Sequence, residues 1–371
     1  MAASLIPEDD MSADQILGTL LDPEVRWRDR QGFLQSAGYM LRPRYHPDWI
    51  PSWRSVESNL SPSKFEDSIF APARKHLIDA TRISDGRLVY IKRVQTGDDE
   101  SRLACMLSSP PLSDDPRNHC VPILELIRDA DDDNISYMVM PYLRLINDPP
   151  FEHVEEVIDF CQQILEGLVF LHEHGVAHRD CSQKNILMDA SRMYPQGHHP
   201  VATMYLPDGR TPVFPLPRSM ASVKYYYVDF GISVSIPADV FPKLAQGTAG
   251  RDREPPELSS MSPYDPFKLD VFIIGNLFRR EFHDNFSNVD FLLPLISVMT
   301  EDDPAARPTA AEVYELWKKL RPTVSVLHGK WRLRYRDEGP VVGFIFDVVH
   351  SIGAIFRFTR QLFRWSVDLQ G

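Results

Sequence analysis

Hydrophobic positions change rhythm along this chain. Between residues 76 and 143 they fall in short β-rich runs separated by polar clusters. "HLIDATRI" (76–83) and "RLVYIKRV" (87–94) are joined by Ser84-Asp85-Gly86, which predicts a hairpin. "VPILELIRD" (121–129) and "ISYMVMPYL" (135–143) predict two further strands. Between the two pairs, "TGDDESRLACML" (96–107) predicts a helix, with Thr96 as its cap and Asp98, Asp99 and Glu100 complementing its positive end. From Val154 onward the period becomes helical: Val154, Val157, Ile158, Cys161, Ile164, Leu165, Leu168 and Leu171 recur three and four apart. A β-rich part thus precedes an α-rich part, with the change near Arg144–Pro150. The pattern predicts an α+β protein without internal repeats.

The flanks carry weaker patterns. In residues 1–65, "ADQILGTLLD" suits a short amphipathic helix, and "YMLRPRYHPDWIPSWRS" reads as an extended segment packed on a surface. Residues 190–224 form a Pro-rich insert between the strands "KNILMD" and "KYYYVDF". Long loops of this kind are functional or lack fixed structure. The insert's His198 and His199 are expected to be solvated, since no third ligand stands at metal-binding spacing. The stretch 340–365 is apolar and aromatic, then basic. Docking on the protein's own body is the plainer account of it, and an amphipathic helix on a membrane surface is the alternative.

Composition narrows the function classes. The 371 residues suffice for one large or two ordinary domains. A formal net charge of −12 argues against nucleic acid as the main partner. Cys105, Cys120, Cys161 and Cys181 form no C-x-x-C pair, so neither a zinc site nor a disulfide framework is suggested. No apolar leader block or eighteen-residue apolar run is present, and the expectation is an intracellular, cytoplasmic protein.

Chemistry concentrates in "LHEHGVAHRDCSQKNILMD" (171–189), where Asp180 and Asn185 share a short loop between apolar runs. Asp229 follows a strand containing Tyr225, Tyr226 and Tyr227, and Lys92 lies inside an apolar strand, where a cation needs an anion. Together these residues provide a cation for phosphates, two oxygen ligands for a metal and a carboxylate for an attacking hydroxyl. Phosphoryl transfer needs little beyond such positioning and charge stabilisation.

In these motifs the chain resembles the protein kinase superfamily, over about residues 75–320. "VYIK" is similar to the kinase "VAIK" strand, "HRDCSQKN" to the catalytic loop, and "DFG" is intact. "REPPE", ending at Glu257, resembles the "APE" element. "LDVFIIG" (269–275) resembles the D-x-W-x-x-G helix with Phe272 in the Trp place. "PAARPTAAEV" supplies Arg307 as the expected ion-pair partner of Glu257. The general style also resembles uncharacterised kinase-like proteins of mushroom-forming fungi. The resemblance implies a bilobal kinase-like fold: an N-terminal extension (1–65), a β-rich N-lobe (66–143), an α-helical C-lobe (144–322) carrying the insert 190–224, and an amphipathic tail (323–371).

It also implies roles. Asp180 would orient the substrate hydroxyl and accept its proton, and Asn185 and Asp229 would hold Mg²⁺. Lys92 would contact the α- and β-phosphates of ATP. Its partner would be Glu100, unless Glu100 only complements the helix end. "YMVMPYL" resembles the last N-lobe strand and hinge, with Met140 at the gatekeeper place and Tyr142 beside the nucleotide. Ser182 stands where many Ser/Thr kinases carry Lys, and Lys184 would bring a cation to the phosphate instead, or be solvated surface. Thr248 is either a phosphorylation site facing Arg179 or an unmodified part of the peptide-binding loop. The implied activity is an ATP-dependent kinase acting on Ser or Thr of a protein substrate.

One departure stands out. Kinases cover the nucleotide with a Gly-rich loop, and "SIFAPARKHLIDATR" contains no glycine. Close backbone approach to phosphate needs residues without Cβ. Ala71, Pro72 and Ala73 are small but stiff, and Arg74 and Lys75 would either supply side-chain charge instead or simply be exposed. The alternative is therefore a kinase-fold pseudoenzyme that binds nucleotide or acts as a scaffold.

Overall fold

The computed structural model describes residues 12–55, 60–71, 75–259, 262–339, 341–343 and 345–347. It is a mixed helix and sheet protein with two compact units, Met1–Asp148 with Asn185–Gly231, and Pro149–Lys184 with Ile232–Gly371.

The first unit is built on a five-stranded antiparallel sheet in the order β1-β2-β3-β5-β4. The strands are β1 (Tyr39–Met40), β2 (Leu77–Arg82), β3 (Leu88–Gln95), β4 (Glu125–Arg128) and β5 (Ile135–Pro141). The expected hairpin forms, and Gly86 takes the left-handed conformation (φ 69°) that its tight turn requires. Arg82 pairs with Asp85 in that turn and draws the Asp85 carboxyl down to about 2.

Alternation sorts the sheet's faces. Ile78, Ala80, Val89, Ile91, Tyr137 and Val139 pack into one core with Trp27, Leu34, Tyr39, Leu41 and Tyr45 of the N-terminal segment. This corrects the reading of residues 39–55 as an extended surface segment. Tyr39 and Met40 are an edge strand paired with Thr81 and Arg82, and Arg44 is fully buried, bonded to Glu24 and to the carbonyls of Leu17, Thr19 and Asp67. The opposite face carries Tyr90 and Lys92, which pair directly with Met140 and Met138.

Helix α1 (Asp99–Leu107) follows β3 and turns Ser101, Ala104 and Leu107 inward. Its cap is Asp98, whose side chain accepts from the Ser101 amide at 2.8 Å, and not Thr96. Thr96 sits too early: its amide donates to the Asn134 carbonyl and its hydroxyl pairs with Ser136. A smaller sheet joins Arg144–Leu145, Ile186–Asp189 and Lys224–Tyr227.

The insert folds compactly against this unit. His198 and His199 are buried, which corrects the expectation of solvated side chains. His199 Nε2 pairs with Glu66 at 3.1 Å, and its Nδ1 accepts from the amides of Val201 and Ala202. His198 packs on Tyr142 and Tyr194. The partners Glu66 and Tyr142 are distant in sequence, so local composition carries no sign of the burial.

The second unit is helical. Helix α2 (Val154–Glu173) buries Val157, Cys161, Ile164, Leu165 and Leu168 as its spacing predicts. Helix α3 (Pro266–Phe278) opens with an Asp265 cap and proline in its first turn, and packs near Met299. A Cβ on Gly275 would come 2.8 Å from Met299 Cβ, so only glycine allows that approach. Trp317, on the helix Ala310–Leu320, is fully buried and donates to Gln162 at 2.7 Å. Glu257 and Arg307 form the expected pair through two bonds of 2.6 and 2.9 Å, and the guanidinium lies over Phe272. Among the described residues no helix is long and apolar enough to cross a membrane. Pro72–Arg74 and most of the 340–365 stretch lie outside the described residues.

Candidate active site

Lys92 organises the site residues of the first unit. β3 presents it on the face shared with Tyr90 and opposite the N-terminal core. Its Nζ donates to Glu100 Oε1 at 2.5 Å and to Asp229 Oδ1 at 2.8 Å. Burial disfavours the ammonium, but the two carboxylates outweigh it and hold the lysine above its ordinary pKa. The charged form is therefore secured at any ordinary pH. Glu100 reaches Lys92 although only eight residues separate them, because α1 begins one residue before it, at Asp99.

Asp229 lies just beyond the strand Lys224–Tyr227, with φ at 66°, a left-handed value that is uncommon for a side-chain-bearing residue. The turn leaves Phe230 buried while the Asp229 side chain is about half exposed at 47%. Gly231 follows, and a Cβ there would come 3.4 Å from Asp229 Oδ1 and 3.5 Å from Glu100 Oε2. Asn185 is buried just before the strand Ile186–Asp189, where its carbonyl accepts from the Val228 amide at 2.9 Å. Lys92, Glu100 and Asp229 thus meet, and the smaller sheet holds Asn185 beside the residue preceding Asp229.

Met140 is buried on β5 opposite Tyr90. Tyr142 stacks on Tyr90 at 4.5 Å and donates its hydroxyl to the Pro200 carbonyl at 2.7 Å. The insert therefore takes up its polar end. A groove of about 720 Å³ adjoins Lys92 and Glu100 and is lined also by His76, Asp98, Asp132 and Asp133. Neither Asp229 nor Met140 lines it, and its acidic rim would repel a triphosphate.

In the second unit, Asp270 of α3 fixes the backbone around the candidate base. Its carboxylate accepts from the amides of His178 at 2.7 Å and Arg179 at 2.6 Å, and it has no exposure. Arg179 is held at φ 66°. Asp180, with a side chain 14% exposed, accepts from the Arg251 amide at 2.7 Å, and the Arg251 guanidinium lies 3.9 Å from its other oxygen. Ser182 Oγ is buried without a hydrogen-bond partner. Lys184 is exposed; burial raises the pKa of nearby Glu281, and Gln183 and the Lys184 charge only partly oppose that rise. Arg251 and Tyr264, which contacts Arg179, are absent from the sequence expectations. The only sequence signal for either was Arg251's place in "GRDRE", between Thr248 and Glu257.

The donor set fits a hard divalent cation with a nucleotide. Mg²⁺ binds through one or two protein oxygens plus substrate phosphates and waters, not through a protein cage. A carboxylate and an amide oxygen meet that need. Among the described residues no group of three or more His, Cys, Asp or Glu side chains is placed to hold a metal alone.

No protein-family model matches the chain. A stretch of 78 residues is 35% identical to "Serine/threonine-protein kinase PLK4" of Danio rerio, covering 19% of this chain and 8% of that protein. A stretch of 164 residues is 26% identical to "Serine/threonine-protein kinase CAK1" of Saccharomyces cerevisiae, covering 39% of this chain and 37% of that protein. The matched stretches span less than half of either relative. The relationship is to Ser/Thr protein kinases, and it is distant and partial.

Proposed function

We propose that this protein transfers the γ-phosphate of ATP to Ser or Thr hydroxyls of a protein substrate, on a bilobal kinase-like fold with a β-rich N-lobe (66–143) and a helical C-lobe (144–322). The observation that carries this reading is the bonding of Lys92 Nζ to both Glu100 and Asp229. The two carboxylates keep this half-buried ammonium charged, and it stands beside the residue proposed to hold a metal.

Mg²⁺–ATP, when bound, supplies the phosphoryl group and neutralises its charge. Lys92 contacts the α- and β-phosphates, and Glu100 fixes its orientation. Asn185 and Asp229 offer oxygens to the metal. Met140 borders the base, and Tyr142 contributes through its main chain, since its hydroxyl is engaged with Pro200. Asp180 orients the substrate hydroxyl and accepts its proton, and Lys184 brings a cation to the transferred phosphate. The excess of acidic residues disfavours nucleic acid as a partner.

Calorimetric titration with ATP in Mg²⁺ tests the nucleotide half of this reading. Saturable binding that weakens in Lys92→Met is expected, and an absence of binding to the wild type overturns it. A second reading, a kinase-fold pseudoenzyme or scaffold, is favoured by the lack of any glycine between Ser68 and Leu77. It predicts nucleotide binding, or none, without phosphate transfer.

A further inference from the structure

Arg179 precedes the candidate base Asp180, and its guanidinium already makes four hydrogen bonds through its five N–H groups. Nε and Nη2 donate to the Tyr264 hydroxyl at 3.2 and 2.7 Å. Nη1 donates to the Ile232 carbonyl at 3.0 Å, and Nη2 to the Gln246 carbonyl at 2.6 Å. Tyr264 in turn donates to the Gly247 carbonyl at 2.9 Å. A tyrosine hydroxyl has one proton to give and two lone pairs to receive with, and all three are used here. The main chain repeats the linkage: Ala245 and Tyr264 exchange two amide–carbonyl bonds of 2.9 Å each.

Two glycines make the arrangement sterically possible. Gly247 has φ 103°, and a Cβ there would approach Arg179 Nη2 at 3.5 Å. Gly250 has φ 121°, and its Cβ would come 3.0 Å from the Arg179 carbonyl. Past that turn the chain delivers the Arg251 amide to Asp180. Arg179 is 7% exposed and Tyr264 5%. Thr248 is exposed, and its carbonyl accepts from Arg253.

We propose that Tyr264 is a positioning residue that replaces a phosphate: its hydroxyl, clamped on Arg179, sets the chain from Ile232 to Arg251 around Asp180 without any modification of Thr248. The geometry stands by itself, while its consequence for catalysis rests on the phosphotransfer reading. A phosphate organises such a segment by supplying acceptors to an arginine. Here the hydroxyl and two carbonyls supply them, so a phosphorylated Thr248 could grip the guanidinium bidentately only by displacing a bond already formed.

The test is amide hydrogen exchange on the full-length protein after phosphatase treatment, with loss of phosphate verified by mass spectrometry. The Ala245 and Tyr264 amides are expected to be protected equally in the wild type and in Thr248→Ala. In Tyr264→Phe, which keeps the ring, they exchange on the order of tenfold faster or more, since a bond to a charged donor is lost. A transfer assay on the same samples separates positioning from general stability: Tyr264→Phe raises KM for a peptide substrate and leaves KM for ATP unchanged. Unprotected amides in the dephosphorylated wild type, or Thr248→Ala behaving as Tyr264→Phe does, overturn the proposal. If no variant transfers phosphate, the phosphotransfer reading fails while the exchange comparison still decides the role of Tyr264.

Discussion

Lys92 Nζ donates to Asp229 Oδ1 at 2.8 Å, joining a residue in the third strand of the large sheet to one that lies 137 positions later. The same nitrogen binds Glu100 at 2.5 Å. One ammonium thus determines where two carboxylates stand, and each prediction about the nucleotide site follows from removing a member of that trio.

Replacing Lys92 with Met leaves Glu100 and Asp229 facing each other without a cation. A charge-assisted bond to phosphate is lost as well. ATP affinity in Mg²⁺ is expected to fall about ten- to a hundredfold, the value of one hydrogen bond to a charged group. Calorimetry reads this directly, and wild-type affinity in the variant would remove Lys92 from the phosphate site.

Asp229→Asn keeps the shape of the turn and removes the charge. Thermal unfolding should change little, whereas Mg²⁺-dependent phosphate transfer should vanish. Unaltered transfer across a Mg²⁺ titration would exclude Asp229 as a metal ligand.

Strands β2 to β5, the hairpin and helix α2 were legible in their apolar runs and spacing, whereas the two-residue edge strand β1 was not. The trio's membership was legible through the resemblance to kinases, whose motifs implied Lys92 and Asp229 and offered Glu100 as the partner or as a helix-end complement. Other features had no local signature. Trp27, Leu34, Leu41 and Tyr45 cover a face of the sheet from helices of one or two turns and the links between them, too short for a periodicity to announce them. His199 is buried against Glu66, 133 positions away, and Arg179 against Tyr264, 85 positions away. The shift of the α1 cap from Thr96 to Asp98 was a choice between two residues of nearly equal capping strength, decided by where the strand ends.

The Glu257–Arg307 pair should be a large contributor to the integrity of the helical unit. Arg307 has no side-chain exposure and Glu257 has 7%. Arg307→Ala strands a buried carboxylate, and the expected loss is about 3–5 kcal/mol. Urea unfolding of the variant against the wild type measures it, and a change below about 1 kcal/mol, the ordinary surface-pair value, would contradict the buried assignment.

Acid should act on the insert through His198. Burial draws its pKa from 6.5 down to about 4, with its neighbours Arg144, Asp148 and His199 contributing. Between those values the unfolded chain binds the proton and the folded one does not. Stability is therefore full above about pH 6.5 and is lost as pH falls toward 4, by up to about 3 kcal/mol from this group. Carboxylates titrate in the same range, so the measurement is a difference: His198→Phe should show a shallower loss than the wild type in denaturant melts from pH 7 to 4. Parallel curves would show that His198 takes no part.

The central claim is phosphate transfer with Asp180 as the residue that receives the substrate's proton. Transfer of radiolabel from γ-labelled ATP to a general protein substrate, compared between wild type and Asp180→Asn, tests it most directly. The account predicts Mg²⁺-dependent labelling by the wild type and a loss of at least about a hundredfold in the variant, the scale of general acid–base contributions. Equal labelling by both proteins, or none by a wild type that is folded and binds ATP, would contradict it.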